Sequence, residues 1–194
     1  MMPDLFRWSV ALLISLFMAS SQGAEWQVSE LMQLLAQNKS GHAKFVEKKY
    51  IGIVEGAVES SGELFFTAPD KLEKRTLKPR TESITLEGSQ LIIERPGKQR
   101  LSLNLQNYPE AAAFVESIRG TLAGDKTALE KVYKLSLSGN ADKWQLILLP
   151  QFSRMSDLIT RIRIIGSRAD VSRIEFDLAD GDRSEIIVTQ MVQP

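Results

Sequence analysis

The sequence predicts a mainly β fold with some α: one large antiparallel sheet, strongly curved, with amphipathic helices packed on its inner face. Three observations carry this. About ten short segments with two-residue alternation recur at intervals of roughly 8–15 residues. Only two stretches keep helical spacing, too few to make the crossovers that a parallel sheet requires. Short turn signals such as Gly88-Ser89, Pro96-Gly97 and Asp180-Gly181-Asp182 separate consecutive strands.

Composition agrees with a single folded domain. Hydrophobic residues make up 43% and charged residues 25% of the 194, enough to build a core. The 24 basic residues balance the 24 acidic ones without long like-charged runs, so nucleic acid is not an expected partner, and a monomer is expected. There is no cysteine, which excludes disulfides and a lipid-modified cysteine.

The N-terminus reads as a secretory signal peptide. Arg7 precedes an apolar run from Trp8 to Ala19, shorter than the roughly 20 residues of a spanning helix. Cleavage after Gly23 places Ser21 and Gly23 at the small-residue positions, so the expected organisation is a signal peptide over 1–23 and one domain over 24–194, exported and soluble.

The first helix is expected over Val28, Leu31, Leu34 and Leu35 with Ser29 as cap, ending by Asn38 to Gly41. From His42 to Val58 two strands or one bent strand follow, with Ala43, Phe45 and Glu47 on one face. Gly62 and Pro69 bracket an antiparallel corner: Leu64 and Phe66 alternate with Glu63, Phe65 and Thr67, and Ala68-Pro69-Asp70 turns the chain. In the return strand Leu72, Lys74 and Thr76 oppose Glu73, Arg75 and Leu77 until Pro79 ends the ladder. Ile84 and Leu86 pair with Leu91 and Ile93 as a hairpin, and Leu101, Leu103 and Leu105 alternate in a further strand. The period then changes. Pro109 opens a helix striped by Ala111, Phe114, Val115, Ile118 and Leu122, with Gly120 and Gly124 as stops. Strands resume at Tyr133, turn at Ser138-Gly139-Asn140 and run to Pro150; Arg154 to Leu158 is ambiguous. Three last strands carry Ile162 and Ile164, then Ile174, Phe176 and Leu178, then Ser184 to Met191.

Catalytic patterns are scarce. His42 is the single histidine and no G-x-S-x-G elbow accompanies it. Asp177, Asp180, Asp182 and Glu185 lack calcium-loop spacing and read as a turn. Glu47 and Glu55 read as solvated face residues, and no glycine-rich phosphate cradle occurs. No enzyme activity, cofactor or metal is expected.

Curled into an incomplete barrel, the sheet would turn Leu64, Phe66, Leu72, Ile84, Leu86, Leu91, Ile93, Leu101, Leu103, Ile162, Ile164, Ile174 and Phe176 inward, with Phe114, Ile118 and Leu122 of the helical stripe at its mouth. Periodicity allows two outcomes, a closed core or a cavity for an acyl chain. Each buried methylene gains about 0.8 kcal/mol, so ten would give roughly 8 kcal/mol before the costs of binding.

Phe45, Ser61-Gly62-Glu63-Leu64-Phe65-Phe66 and Ala68-Pro69-Asp70-Lys71-Leu72 resemble the F…GEL…RP…F pattern of the periplasmic outer-membrane lipoprotein carriers, the LolA-like family. The order of elements is similar over most of the chain. The resemblance implies an unclosed antiparallel barrel with a helical lid over an apolar cavity. It also implies a periplasmic carrier of acylated lipids or lipoproteins, served by an inner-membrane donor and an outer-membrane acceptor. Two departures stand out. Ala68 occupies the position where the family pattern has an arginine that hydrogen-bonds the lid, so here the lid is expected to rest on apolar stripes alone; and the sequence stops at Pro194, sooner after its last strand than the classical carriers do. Both point to a divergent branch with a different lipid cargo. The alternative is a periplasmic sensor or scaffold that binds lipid or protein on the same concave sheet without moving it.

Overall fold

The computed structural model describes residues 26–52 and 55–191; the expected signal segment 1–23 lies outside them. The chain runs α1 (Val28–Leu35), β1 (Ser40–Tyr50), β2 (Ala57–Thr67), β3 (Lys71–Lys78), β4 (Glu82–Glu87), β5 (Gln90–Glu94) and β6 (Leu101–Asn104). It continues through α2 (Pro109–Ala123), α3 (Lys126–Glu130), β7 (Tyr133–Asn140), β8 (Lys143–Pro150), α4 (Ser153–Ser156), β9 (Ile159–Ser167), β10 (Asp170–Leu178) and β11 (Arg183–Gln190). The eleven strands form one antiparallel sheet in the order β6-β5-β4-β3-β2-β1-β11-β10-β9-β8-β7. It does not close, so β6 and β7 are free edges and the helices between them carry the chain from one edge to the other. This is the single curved antiparallel sheet with helices that the alternation predicts, left open as the family resemblance implies.

The topology follows from hairpins. Every sheet neighbour is also a chain neighbour except β1 and β11, which pair from Ala43↔Gln190 to Tyr50↔Arg183 and bring the two ends of the domain together at mid-sheet. The core is lopsided. Leu31, Met32 and Leu35 of α1 and Leu129 of α3 bury against Tyr133, Trp144, Leu146, Leu148, Ile162 and Ile164, all within the β7–β10 half of the sheet. Trp144 anchors that half, its Nε1 donating to the Arg168 carbonyl at 2.9 Å.

Several expected boundaries shift, each for a local reason. Ser29 lies inside the first turn of α1, where Gln27 is the cap and its N–H donates to Glu30 Oε2 at 2.9 Å. Gly62 is no turn residue: it sits within β2 at a bulge opposite β3, where a Cβ would come 2.0 Å from the Arg75 carbonyl oxygen. Leu105 leaves the strand for a 3₁₀ turn because the Asn104 side chain accepts from the Gln106 N–H at 2.9 Å. Gly120 does not stop α2 but lets Leu129 pack closely, and Gly124 at φ 69° ends the helix. The β7–β8 turn falls at Ala141-Asp142, because Asn140 Oδ1 accepts from the N–H groups of Asp142 and Lys143 at 3.0 and 3.1 Å. The ambiguous stretch forms α4. A third helix, α3, was not signalled; Asp125 caps it through the Ala128 N–H at 2.9 Å, in a segment too short to show a period.

Candidate functional site: the inner face of the half-barrel

Directly opposed residues of antiparallel strands share a face. Register therefore links Leu103, Leu91, Leu86, Leu72 and Phe66 in one row across β6 to β2. Leu101, Ile93, Ile84, Lys74 and Leu64 form the next row, continued by Ala43 of β1. On the other half Ile174 opposes Ile164, and Phe176 opposes Ile162. All thirteen strand residues expected inward thus belong to one face.

The two halves of that face differ in what covers them. Ile162, Ile164, Ile174 and Phe176 are at most 7% exposed and belong to the sealed core. Phe114, Ile118 and Leu122 of α2 pack against the same core, Phe114 with its ring centroid 5.0 Å from that of Phe176. Of the residues expected inward on the β2–β6 half, only Phe66 and Leu86 are buried. Leu64, Leu72, Ile84, Leu91, Ile93 and Leu103 stay half-buried and Leu101 is exposed. One half of the face is thus sealed core, and the other keeps half-buried aliphatic side chains.

A buried ion cluster lies on this face at mid-sheet. Glu47 of β1 is 4% exposed and pairs with the Lys74 ammonium from β3, while Ser184 and Ser60 donate to its oxygens at 2.9 and 3.3 Å. Lys49 stands 3.5 Å away, and the Lys74 Nζ lies 4.9 Å from the Phe45 ring centroid. Burial pushes the Glu47 carboxyl up, but the Lys74 ammonium, by charge and hydrogen bond, holds it below the usual glutamate value. Glu47 is therefore not the solvated residue expected, whereas Glu55 is exposed. A charge on an otherwise apolar inward stripe was the available signal. His42 faces the outer side, stacked on Phe65 at 4.3 Å. Among the described residues no group of three or more His, Cys, Asp or Glu side chains could hold a metal ion.

The helix α2 is tied down by more than apolar contact. Ala68, at the position of the expected latch, offers only its N–H to the Lys39 carbonyl at 2.9 Å. Arg119 on α2 instead pairs with Glu116 and donates from Nη1 to the Gly88 carbonyl in the β4–β5 turn at 2.9 Å. The expectation of a lid held by apolar stripes alone is corrected. The arginine stands on the helix and its acceptor on the sheet. A cleft of about 760 Å³ opens beside this contact, between α2 and the Pro69-Asp70 and Gly88-Ser89 turns. Beneath α2, burial pushes the Tyr133 phenol up to about 12 against the opposing hydrogen bond to Ser117. Arg119→Met is expected to speed amide exchange across α2 about tenfold, since a hydrogen bond to a charged group contributes about 1.5 kcal/mol or more. Hydrogen-exchange mass spectrometry of that segment checks it.

A family model described as outer membrane lipoprotein carrier protein LolA-like matches residues 19–192. No curated protein matches the sequence. Among solved structures, a LolA superfamily protein from Nitrosomonas europaea is similar at 11% identity and a TM-score of 0.44, covering 87% of this chain and 96% of its own. A DUF1329 family protein from Desulfovibrio piger is similar at 11% identity and a TM-score of 0.47, covering 84% and 88%. The Pseudomonas aeruginosa MucA/MucB complex is similar at 13% identity and a TM-score of 0.48, covering 86% of this chain and 58% of that one.

Proposed function

Because this chain belongs to the LolA-like family of outer membrane lipoprotein carrier proteins, we propose that it is a non-catalytic periplasmic carrier. It takes acyl chains of lipids or lipoproteins onto the open half of its inner face and moves them toward the outer membrane. The observation that supports this best is the uneven covering of one inward face, whose aliphatic side chains are interrupted at mid-sheet by the Glu47–Lys74 pair. The helices seal β7–β10, while Leu72, Ile84, Leu91, Ile93 and Leu103 keep apolar surface that no element of the described chain fully covers. Such a strip gains free energy when an acyl chain replaces water on it. The remaining parts of the proposal are a signal peptide over 1–23, a single domain over 24–194, and donor and acceptor proteins in the two membranes. In it, Leu64, Phe66 and the strand residues beyond carry the cargo, while Phe114, Ile118 and Leu122 hold α2 on the sealed half beside it.

The experiment is titration with an acyl-chain fluorophore, followed by transfer between donor and acceptor vesicles. Leu103→Glu is expected to weaken probe binding at least tenfold while circular dichroism stays unchanged, because Leu103 is half-buried near the sheet edge. Phe66 is less suited to this test, since at 7% exposure a charge there would also disturb the fold. Unchanged probe affinity in Leu103→Glu would remove the open strip as the binding surface. Binding without transfer would favour the sensor or scaffold.

A further inference from the structure

We propose that the β3–β4 and β5–β6 turns form one basic docking surface for an anionic lipid bilayer, placed at the end of the open strip. The two turns are separated in the chain, but both lie at the same end of the β3–β6 strands. They share a groove of about 420 Å³ lined by Thr81, Glu82, Arg95, Pro96, Lys98 and Arg100. The two turns and the residues beside them carry five cations, Lys78, Arg80, Arg95, Lys98 and Arg100, with Glu82 and Glu94 as the acids; Arg75, which also lines the groove, pairs with Glu73. Arg95 pairs with Glu82 at 2.5 Å and Arg100 stands 3.8 Å from Glu94. Lys78, Arg80 and Lys98 remain, all exposed and without an ion pair among the described residues. A chain of zero net charge thus carries an excess of three positive charges at one tip.

Exposed aliphatic side chains flank these cations. Leu77, beside Lys78, is 50% exposed, and Leu101, beside Arg100, is 46% exposed. Cations next to exposed leucines match the boundary between phosphate headgroups and acyl chains, where each side chain finds its preferred medium. Single-stranded nucleic acid would call for aromatic side chains to stack bases, and neither turn has one. Docked by this tip, the strip of Ile93, Ile84 and Leu91 would open toward the bilayer that supplies or accepts an acyl chain. The membrane's role in that exchange rests on the carrier function proposed above; the docking surface itself does not.

Co-sedimentation with vesicles of phosphatidylglycerol in phosphatidylcholine tests the proposal, at 50 mM and 500 mM salt, with pure phosphatidylcholine beside them. Binding is expected to the anionic vesicles only and to fade at high salt, where screening shortens to a few ångströms. The triple variant Lys78→Gln, Arg80→Gln, Lys98→Gln should bind roughly 100-fold more weakly, at about fivefold per cation, and Leu77→Ser should weaken binding in a salt-independent way. The triple variant should still bind the acyl fluorophore in solution. No sedimentation of wild type at low salt, equal sedimentation of the triple variant, or binding to an oligonucleotide or acidic peptide in place of vesicles would each overturn the proposal. Vesicle binding by a wild type that takes up no acyl fluorophore would instead leave the docking surface standing and sink the carrier function.

Discussion

Replacing Lys74 with methionine is expected to lower stability by about 3–5 kcal/mol, the cost of leaving a desolvated charge without its partner. Glu47 is 4% exposed, and its other contacts are two hydroxyl donors and the more distant Lys49, whose side chain is 54% exposed. Methionine preserves most of the lysine's aliphatic packing over Phe45, so the loss reports the charge. The same variant should invert a pH dependence. In the wild type the Glu47 carboxyl sits below the ordinary value of 4.5, so its stabilisation is present above that pH and is lost as pH falls through the folded value. Without Lys74 burial dominates and the carboxyl moves up, so stability is lost as pH rises past 4.5 toward the raised value. Glu47→Gln in the Lys74→Met background should restore most of the loss. Urea titrations at pH 4 and pH 7 are the measurement. A Lys74→Met protein of wild-type stability at both pH values would show that Glu47 is hydrated in solution.

Gly62→Ala should cost roughly 3 kcal/mol, the upper end of what overpacking costs in a well-packed interior. The added methyl would stand 2.0 Å from the Arg75 carbonyl oxygen and 2.9 Å from its carbon, both backbone atoms that no rotamer change can move aside. The bulge between Ser61 and Gly62 would have to open, and with it the β2–β3 pairing that sets Leu64 against Lys74. Thermal unfolding measures the loss. A melting temperature within about 2 °C of wild type would mean that the bulge yields freely. Gly41, with open space where its Cβ would be, is the control, and Gly41→Ala should be nearly silent.

Most of the fold could be read locally. Strand identity and facing are local properties, because alternation at period two is carried by residues two positions apart, and tight antiparallel hairpins preserve the face from one strand to the next. That is why thirteen residues chosen by alternation alone, from Leu64 to Phe176, lie on one face of one sheet. The corner at Ala68-Pro69-Asp70 and the start of α2 at Pro109 were legible for the same reason, since proline restricts its own backbone.

What covers that face was not legible. Alternation marks a side chain as inward without saying whether a helix, solvent or a ligand lies above it. The sealing of Ile162 and Ile164 and the opening of Leu91 and Ile93 follow from where α1, α2 and α3 pack. The polar contacts escaped for a related reason. Glu47 meets Lys74 across 27 positions, and Arg119 meets the Gly88 carbonyl across 31. The cations of Lys78, Arg80 and Lys98 combine because the β3–β4 and β5–β6 turns lie at the same end of the sheet. Period and turn chemistry act within a few residues and determined the strands and their faces. Burial and charge depend on which distant segments share a volume, and only the assembled half-barrel could decide that.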